Sequence, residues 1–420
     1  MSNLGLSFLK KISVYAILAL VLIACTHVYP PGISQFRGPN RDGQYIESNL
    51  SDQWPDAGPE LQWSAEGIGR GYAAPVITKD KVFINGEIDS ISHLFAFDLE
   101  GTLLWKTPMG REFLGSGFSA TYPGSRSTPT VLDDLVYTVS GKGRIICCDV
   151  SSGDVQWELD MVKDLGGYQP YFGISESLAI DEDNLYCYPS GQVNNIVALN
   201  RYTGEEVWAS VAMKDTSSFC SPIFIDLPDR KVLVTMSHYY LLGLDQATGE
   251  LLWSYNIDGY EAEGDHCNTP IYNEGFIYQV FGDRYSQGAV KLKLAADGSS
   301  VNEVWRNDKV KNNFDGLIIH DDLMFTTVRG NYLKSLELEQ GKVVDSVKVA
   351  SGALIFSDNK FICYGHNGEL NLINYTEGEF EIGGSFRIDQ GKGQHFSQPV
   401  LSDGVMYIRH GDVLMAYKID

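Results

Sequence analysis

The sequence predicts an all-β fold: a single eight-bladed β-propeller of four-stranded antiparallel blades, the last blade closed by an N-terminal strand. Three observations predict it. A unit ending in tryptophan recurs, and the intervals from Trp105 through Trp157, Trp208 and Trp253 to Trp305 are 52, 51, 45 and 52 residues. Within each unit apolar and polar residues alternate with period two and helical periodicity is nearly absent, which marks short strands. The final unit, residues 397–420, holds only three strands, while residues 58–67, GPELQWSAEG, have the form of a fourth. Joining the two removes the open sheet edge that invites aggregation.

In chain order, Lys10 and Lys11 precede an apolar run over residues 12–24. A permanent membrane helix needs about 20 residues, so residues 1–24 read as an export signal. The run ends Leu22-Ile23-Ala24-Cys25, which resembles the bacterial lipobox and makes Cys25 the acylated first residue of the mature chain. Several acyl chains anchor a protein where one holds it only marginally. Thr26, in place of Asp, favours the outer membrane. Residues 25–59 form a lipid-anchored linker and N-terminal extension, and residues 60–420 the propeller.

The third and fourth strands of blades one to five are HLFAFDLEGTLLW, IICCDVSSGDVQW, IVALNRYTGEEVW, LLGLDQATGELLW and VKLKLAADGSSVNEVW. Residues 149–153, 200–204 and 245–249 are tight connections in which Gly supplies a positive φ and Asp or Asn caps its own downstream backbone. Two weaker copies surround Gly341 and Gly378, with aliphatic residues expected where tryptophan stands elsewhere.

A formal charge of −22 repels phosphate backbones and excludes nucleic acid as a partner class. Six cysteines follow Cys25 in a disulfide-permissive setting, and none forms a CxxC pair or a CxxCH haem-attachment motif.

The motif Ala-Leu-Asp/Asn-x-x-Thr-Gly-x-x-x-Trp is similar to the repeat of the pyrroloquinoline-quinone (PQQ) propellers, and its copies cover nearly all of residues 60–420. That resemblance implies eight blades. The family contains quinone dehydrogenases and also cofactor-free, BamB-type lipoproteins of outer-membrane assembly, so activity stays open. Residues 35–43, QFRGPNRDG, further resemble the opening of many exported PQQ-like repeat proteins.

The adjacent Cys147 and Cys148 invite a redox reading, because vicinal cysteines flank the cofactor in some quinone dehydrogenases. Aligned with the repeats, Cys147 falls in a small-residue position with Ala96, Ala198, Gly243, Ser335 and Ala416, and Cys148 in an apolar one. Successive strand residues face opposite ways, so two separately packed thiols are expected. Cys220 and Cys267 approach the axis on neighbouring blades, which leaves open whether a disulfide joins them.

A candidate axial ligand-binding ring comes from the loops that enter each innermost strand: Tyr72, Arg126, Glu176, His266, Asn268, Asp315 and His395, with Cys220 and Gln398 beside them. Such a ring suits a small anion, a cation or a cofactor, and equally a hydrated channel. Residues 261–268, EAEGDHCN, gather carboxylates and a histidine, yet read as a solvated acidic loop, and no metal is expected. The long connections over residues 110–127 and 163–175 hold Phe113, Phe118, Tyr122, Tyr168, Tyr171 and Phe172, which either contact a peptide or sugar or pack back on the propeller.

Two functional readings follow. The first is a non-catalytic, monomeric envelope lipoprotein, anchored to the outer membrane and facing the periplasm. It needs no cofactor and binds an envelope protein or extended peptide through a face or strand edge. The compact length and the lack of a serine, cysteine or metal constellation favour it. The second is a PQQ-dependent alcohol or sugar dehydrogenase with quinone and calcium at the axial mouth, near Arg126, Glu176 and Asp315.

Overall fold

The computed structural model describes residues 30–216, 218–257, 266–282, 288–312, 314–376 and 378–420. The expected export signal and Cys25 lie outside the described residues, as do residues 261–265 of the acidic loop. Eight four-stranded antiparallel sheets make the fold. Seven use consecutive strands, the first being Val76–Ile77, Val82–Ile88, Ile91–Phe97 and Leu103–Arg111. The eighth combines Val400–Ser402, Val405–His410 and Val413–Lys418 with Glu60–Glu66 from the start of the chain. Glu60 lies opposite Lys418 and Glu66 opposite Val413, so the N-terminal strand closes the ring as expected.

Inner strands such as Leu135–Val139 and Lys360–Gly365 are almost wholly buried, whereas fourth strands such as Val155–Asp160 keep exposed positions. Burial on both faces follows from stacking each sheet between two neighbours, and it makes inner strands read as continuous apolar runs.

Five of the blades are joined to the next by the tryptophan of the fourth strand. Its residue stands opposite the small one of the third strand, as Trp105 does Ala96, Trp157 does Cys147, Trp208 does Ala198 and Trp63 does Ala416. A one-residue register shift occurs at that point in each pair. The indole then reaches the next blade. From Trp63, Trp105, Trp157, Trp208 and Trp305, Nε1 donates to the carbonyls of Leu99, Val150, Arg201, Gln246 and Leu338 at 2.7–3.2 Å. The same rings cover the turn glycines of those blades. A Cβ on Gly101, Gly153, Gly204, Gly249 or Gly341 would lie 2.4–2.7 Å from a ring atom, so only hydrogen fits there.

Blades six and seven correct the expectation of aliphatic replacements. The tryptophan position holds Asp345 in blade six and Gly384 in blade seven. A Cβ on Gly378, the turn glycine that follows the Asp345 blade, would accordingly meet nothing within 4 Å. In blade seven another part of the chain fills the gap. Trp54 lies against Gly384, donates its backbone N–H to the Gly383 carbonyl at 2.9 Å, and packs edge-on against Phe386 with centroids 5.5 Å apart.

The rest of the N-terminal extension is a strap across the ring. Ser34 bridges to Val131 in blade two and Gln44 to Phe356 in blade seven, near where the innermost strands finish. Between them Arg37 and Arg41, 2% and 0% exposed, reach into the axis. Arg37 donates to the Leu317 carbonyl at 2.7 Å and to Gln398 Oε1 at 3.4 Å. Arg41 donates to Gln35 Oε1 at 2.7 Å and to the carbonyls of Leu178 and Pro222. Two guanidiniums thereby tie blades three, four, six and eight together. Burial pushes Arg37 down to about 10, against the opposing charges of Asp42 and Tyr45.

Candidate functional site

Counted back from the proline or leucine that opens each innermost strand, the candidate residues come from three different positions. Tyr72 and Arg126 stand three residues before it, Glu176, Asn268 and Asp315 two before, and His266 and His395 four before. The structure gives each position its own job.

Positions one and two before that residue form a belt that links neighbouring innermost strands. The backbone N–H of Ala74 donates to Thr128 Oγ1, that of Thr128 to Ser177 Oγ and that of Ser177 to Ser221 Oγ, at 3.0–3.1 Å. Asn268 Oδ1 accepts the Gly316 N–H at 2.9 Å, and its Nδ2 donates to the carbonyls of Val280 and Asn312. Glu176 accepts the N–H groups of Ser175 and Phe219. Asp315 accepts from Thr327 Oγ1 at 2.9 Å and faces His366 Nε2 at 2.7 Å. These are buried polar groups satisfied by structure.

That commitment bears on the metal and cofactor expected in the second reading. Calcium takes six or more oxygen ligands. The side-chain oxygens of Glu176, Asn268 and Asp315 already accept protein hydrogen bonds, and among the described residues no three His, Cys, Asp or Glu side chains are grouped to hold a metal. Glu176, Asn268 and Asp315 thus each help to link neighbouring blades, whatever else they hold.

The position four residues before is packed. His266 is 2% exposed against Phe281, and burial, with the charge of His238, pushes it down to about 3. His395 places Nδ1 2.6 Å from the Tyr364 hydroxyl and stacks on His410 at 3.7 Å. Burial first, then His410, lowers it to about 4.

Position three lines the mouth. Tyr72, Arg126, Phe219, Phe314 and Phe396 all belong to it, and sequence reasoning missed the last three because it did not hold the count constant between blades. The Arg126 guanidinium lies 5.9 Å from the Tyr72 centroid and donates to the carbonyls of Gly124 and Tyr122. Tyr72 meets Phe396 at 5.6 Å, Phe396 meets Phe314 at 4.9 Å, and Phe314 meets His366 at 5.0 Å. The Tyr72 hydroxyl donates to Gln394 Oε1 at 2.7 Å.

The long loops extend this wall. Tyr122 stacks on Phe396, and Phe172 meets Tyr122, Phe118 and Phe219 edge-on. Tyr122 and Phe172 pack back and are half-buried in the cluster, while Phe118, Tyr168 and Tyr171 are 60%, 53% and 49% exposed. Phe118 sits on the short 3₁₀ turn Gly117–Thr121.

Cys147, Cys148, Cys187, Cys220 and Cys363 are free thiols, so no disulfide joins Cys220 to Cys267. Cys147 packs in the core shared by blades two and three, and Cys148 in that of blades one and two, on opposite sides of one strand. Burial pushes both thiols up to about 12, so neither is a thiolate nucleophile near neutral pH.

The two faces of the ring differ in charge. Described turns joining first to second and third to fourth strands carry eighteen Asp and Glu against four Lys and Arg. The described connections at the mouth carry nine of each.

Comparison with known proteins agrees with this geometry. The family model described as outer membrane protein assembly factor BamB matches residues 90–347. A curated relative, the outer membrane protein assembly factor BamB of Kangiella koreensis, is 28% identical over 215 residues, 50% of this chain and 47% of that protein. The chain thus spans about half the length of that relative. The crystal structure of BamB from Moraxella catarrhalis superposes with a TM-score of 0.60 at 12% identity, covering 86% of this chain and 99% of that one. A europium-containing methanol dehydrogenase superposes with 0.69 at 10% identity, covering 92% and 91%; at such identities both likenesses speak for the fold. With the family model matching more than half of its length, the chain belongs to the outer membrane protein assembly factor BamB family.

Proposed function

We propose that this protein is a non-catalytic, monomeric scaffold of the bacterial cell envelope, anchored through Cys25 to the periplasmic side of the outer membrane, that binds a protein partner in outer-membrane protein assembly. One observation carries the reading. The polar axial residues that would hold a cofactor are spent on joining blades, while Phe118, Tyr168 and Tyr171 stand exposed on loops fixed to a rigid ring. Family membership supports it, as does the name of the Kangiella relative. No cofactor is required. Affinity capture from solubilised membranes tests the reading: a defined envelope partner should be retained by the native chain and lost with a Phe118→Ser, Tyr171→Ser double variant. Recovery of the same proteins by both would refute it. Cys25→Ser should release the protein from membranes, and unchanged sedimentation with membranes would remove the anchor.

A dehydrogenase remains the second reading, favoured by one feature, the guanidinium of Arg126 beside aromatic rings at the mouth. Titration with PQQ and calcium, followed by absorbance and dye reduction, decides between the two. Stoichiometric binding with alcohol or sugar turnover would replace the scaffold reading.

A further inference from the structure

The mouth offers more than exposed apolar area. Arg126, Tyr72, Phe396, Phe314 and His366 form one continuous wall, each in ring or cation contact with the next at 4.9–5.9 Å. A guanidinium stands at one end. At the other, Asp315, with a side chain only 5% exposed, holds Nε2 of His366, whose own side chain is 33% exposed, and so fixes the orientation of the imidazole. Building on the scaffold reading, we infer that this throat seats an extended peptide segment in which an aromatic side chain neighbours a carboxylate.

Three features select that chemistry. Phe396 meets Phe314 at 70° and His366 at 87°, so the wall is corrugated by edge-on rings. Such a surface accepts one more ring edge-on, whereas a broad fused-ring cofactor needs parallel planes. Arg126 is the nearest cation on that wall, and guanidinium–carboxylate pairs are among the stronger hydrogen-bonded contacts. Charge then sorts the segment between faces. Among the described residues an acidic peptide meets eighteen carboxylates against four cations on the turn face but nine of each at the mouth, so the turn face repels it more, while a basic peptide is drawn to the turn face. Phe118 and Tyr171, exposed beside the cluster, lengthen the contact beyond a single side chain.

The test uses the full chain and three fluorescein-labelled octapeptides of Gly and Ser: one with Phe between two Glu, one with that Phe replaced by Ser, and one with both Glu replaced by Lys. Anisotropy should show saturable binding of the Phe–Glu peptide, weakened about tenfold by either control change and about tenfold by Arg126→Gln. Phe118→Ser, on an exposed turn, should weaken it several-fold in a protein that melts like the native one, so the test survives if Arg126→Gln fails to fold. Equal affinity for the Lys peptide, no saturable binding of any peptide, or unchanged affinity in a well-folded Arg126→Gln variant would each overturn the inference. If the Phe–Glu peptide fails while a defined partner is still captured in a Phe118-dependent way, the inference falls and the scaffold reading stands.

Discussion

Gly153 shows how much one hydrogen atom carries in this ring. Its φ is +75°, and a Cβ there would stand 2.5 Å from the Trp105 ring. Gly378 has a φ of +90° and open space around it. An alanine at either position carries the left-handed backbone cost of about 1–2 kcal/mol, but only Gly153→Ala also displaces an indole. Urea denaturation should therefore show a clearly larger loss of stability for Gly153→Ala than for Gly378→Ala, and equal losses would show that the tryptophan contact is not a constraint. A second residue-scale prediction concerns acid. Because burial lowers His266 from 6.5 to about 3, the folded state binds its proton less readily than the unfolded chain. Stability is then full above 6.5 and declines as pH falls toward 3, by about 2 kcal/mol between pH 7 and 5 from this group alone. His266→Gln should flatten that part of the pH profile relative to the native protein, and an unchanged slope would show the imidazole is already charged. The placement of Cys147 and Cys148 was legible from the repeat, since alternation alone puts them on opposite faces. The throat was not, because Phe219, Phe314 and Phe396 become a wall only when eight loops converge, and linear sequence carries no distance between blades.

At the scale of elements, the closing strand and the tryptophan turns were readable because each obeys a local rule repeated many times. What local rules missed is the use made of residues 33–58. Nothing in their composition says that Trp54 covers Gly384 or that Arg37 and Arg41 cross the axis, since their partners lie some hundred to several hundred residues away, as the 280 and 137 positions separating Arg37 from Leu317 and Arg41 from Leu178 show. The blade-seven junction should be correspondingly sensitive to that extension. Trp54→Ala removes a large buried ring, a class of change that costs about 3–5 kcal/mol. Limited proteolysis should then cut first near Gly383 and Phe386, and a native-like cleavage pattern would argue that Trp54 is dispensable.

For the molecule as a whole, the uneven charge has a measurable effect. Eighteen carboxylates on the turn face repel one another at low ionic strength, and salt screens exposed charges over about 10 Å at 0.1 M. Melting temperature should rise between 10 mM and 500 mM sodium chloride, and a fall would place the dominant electrostatics in the ion pairs instead. The strap has a consequence in time. Residues 34–66 are made before every blade, yet their partners span blades one to eight, down to strand Val413–Lys418 at the far end of the chain. Strand Glu60–Glu66 must therefore wait for strand Val413–Lys418, made about 350 residues later, before it can pair, so the ring locks only after all eight blades have been made.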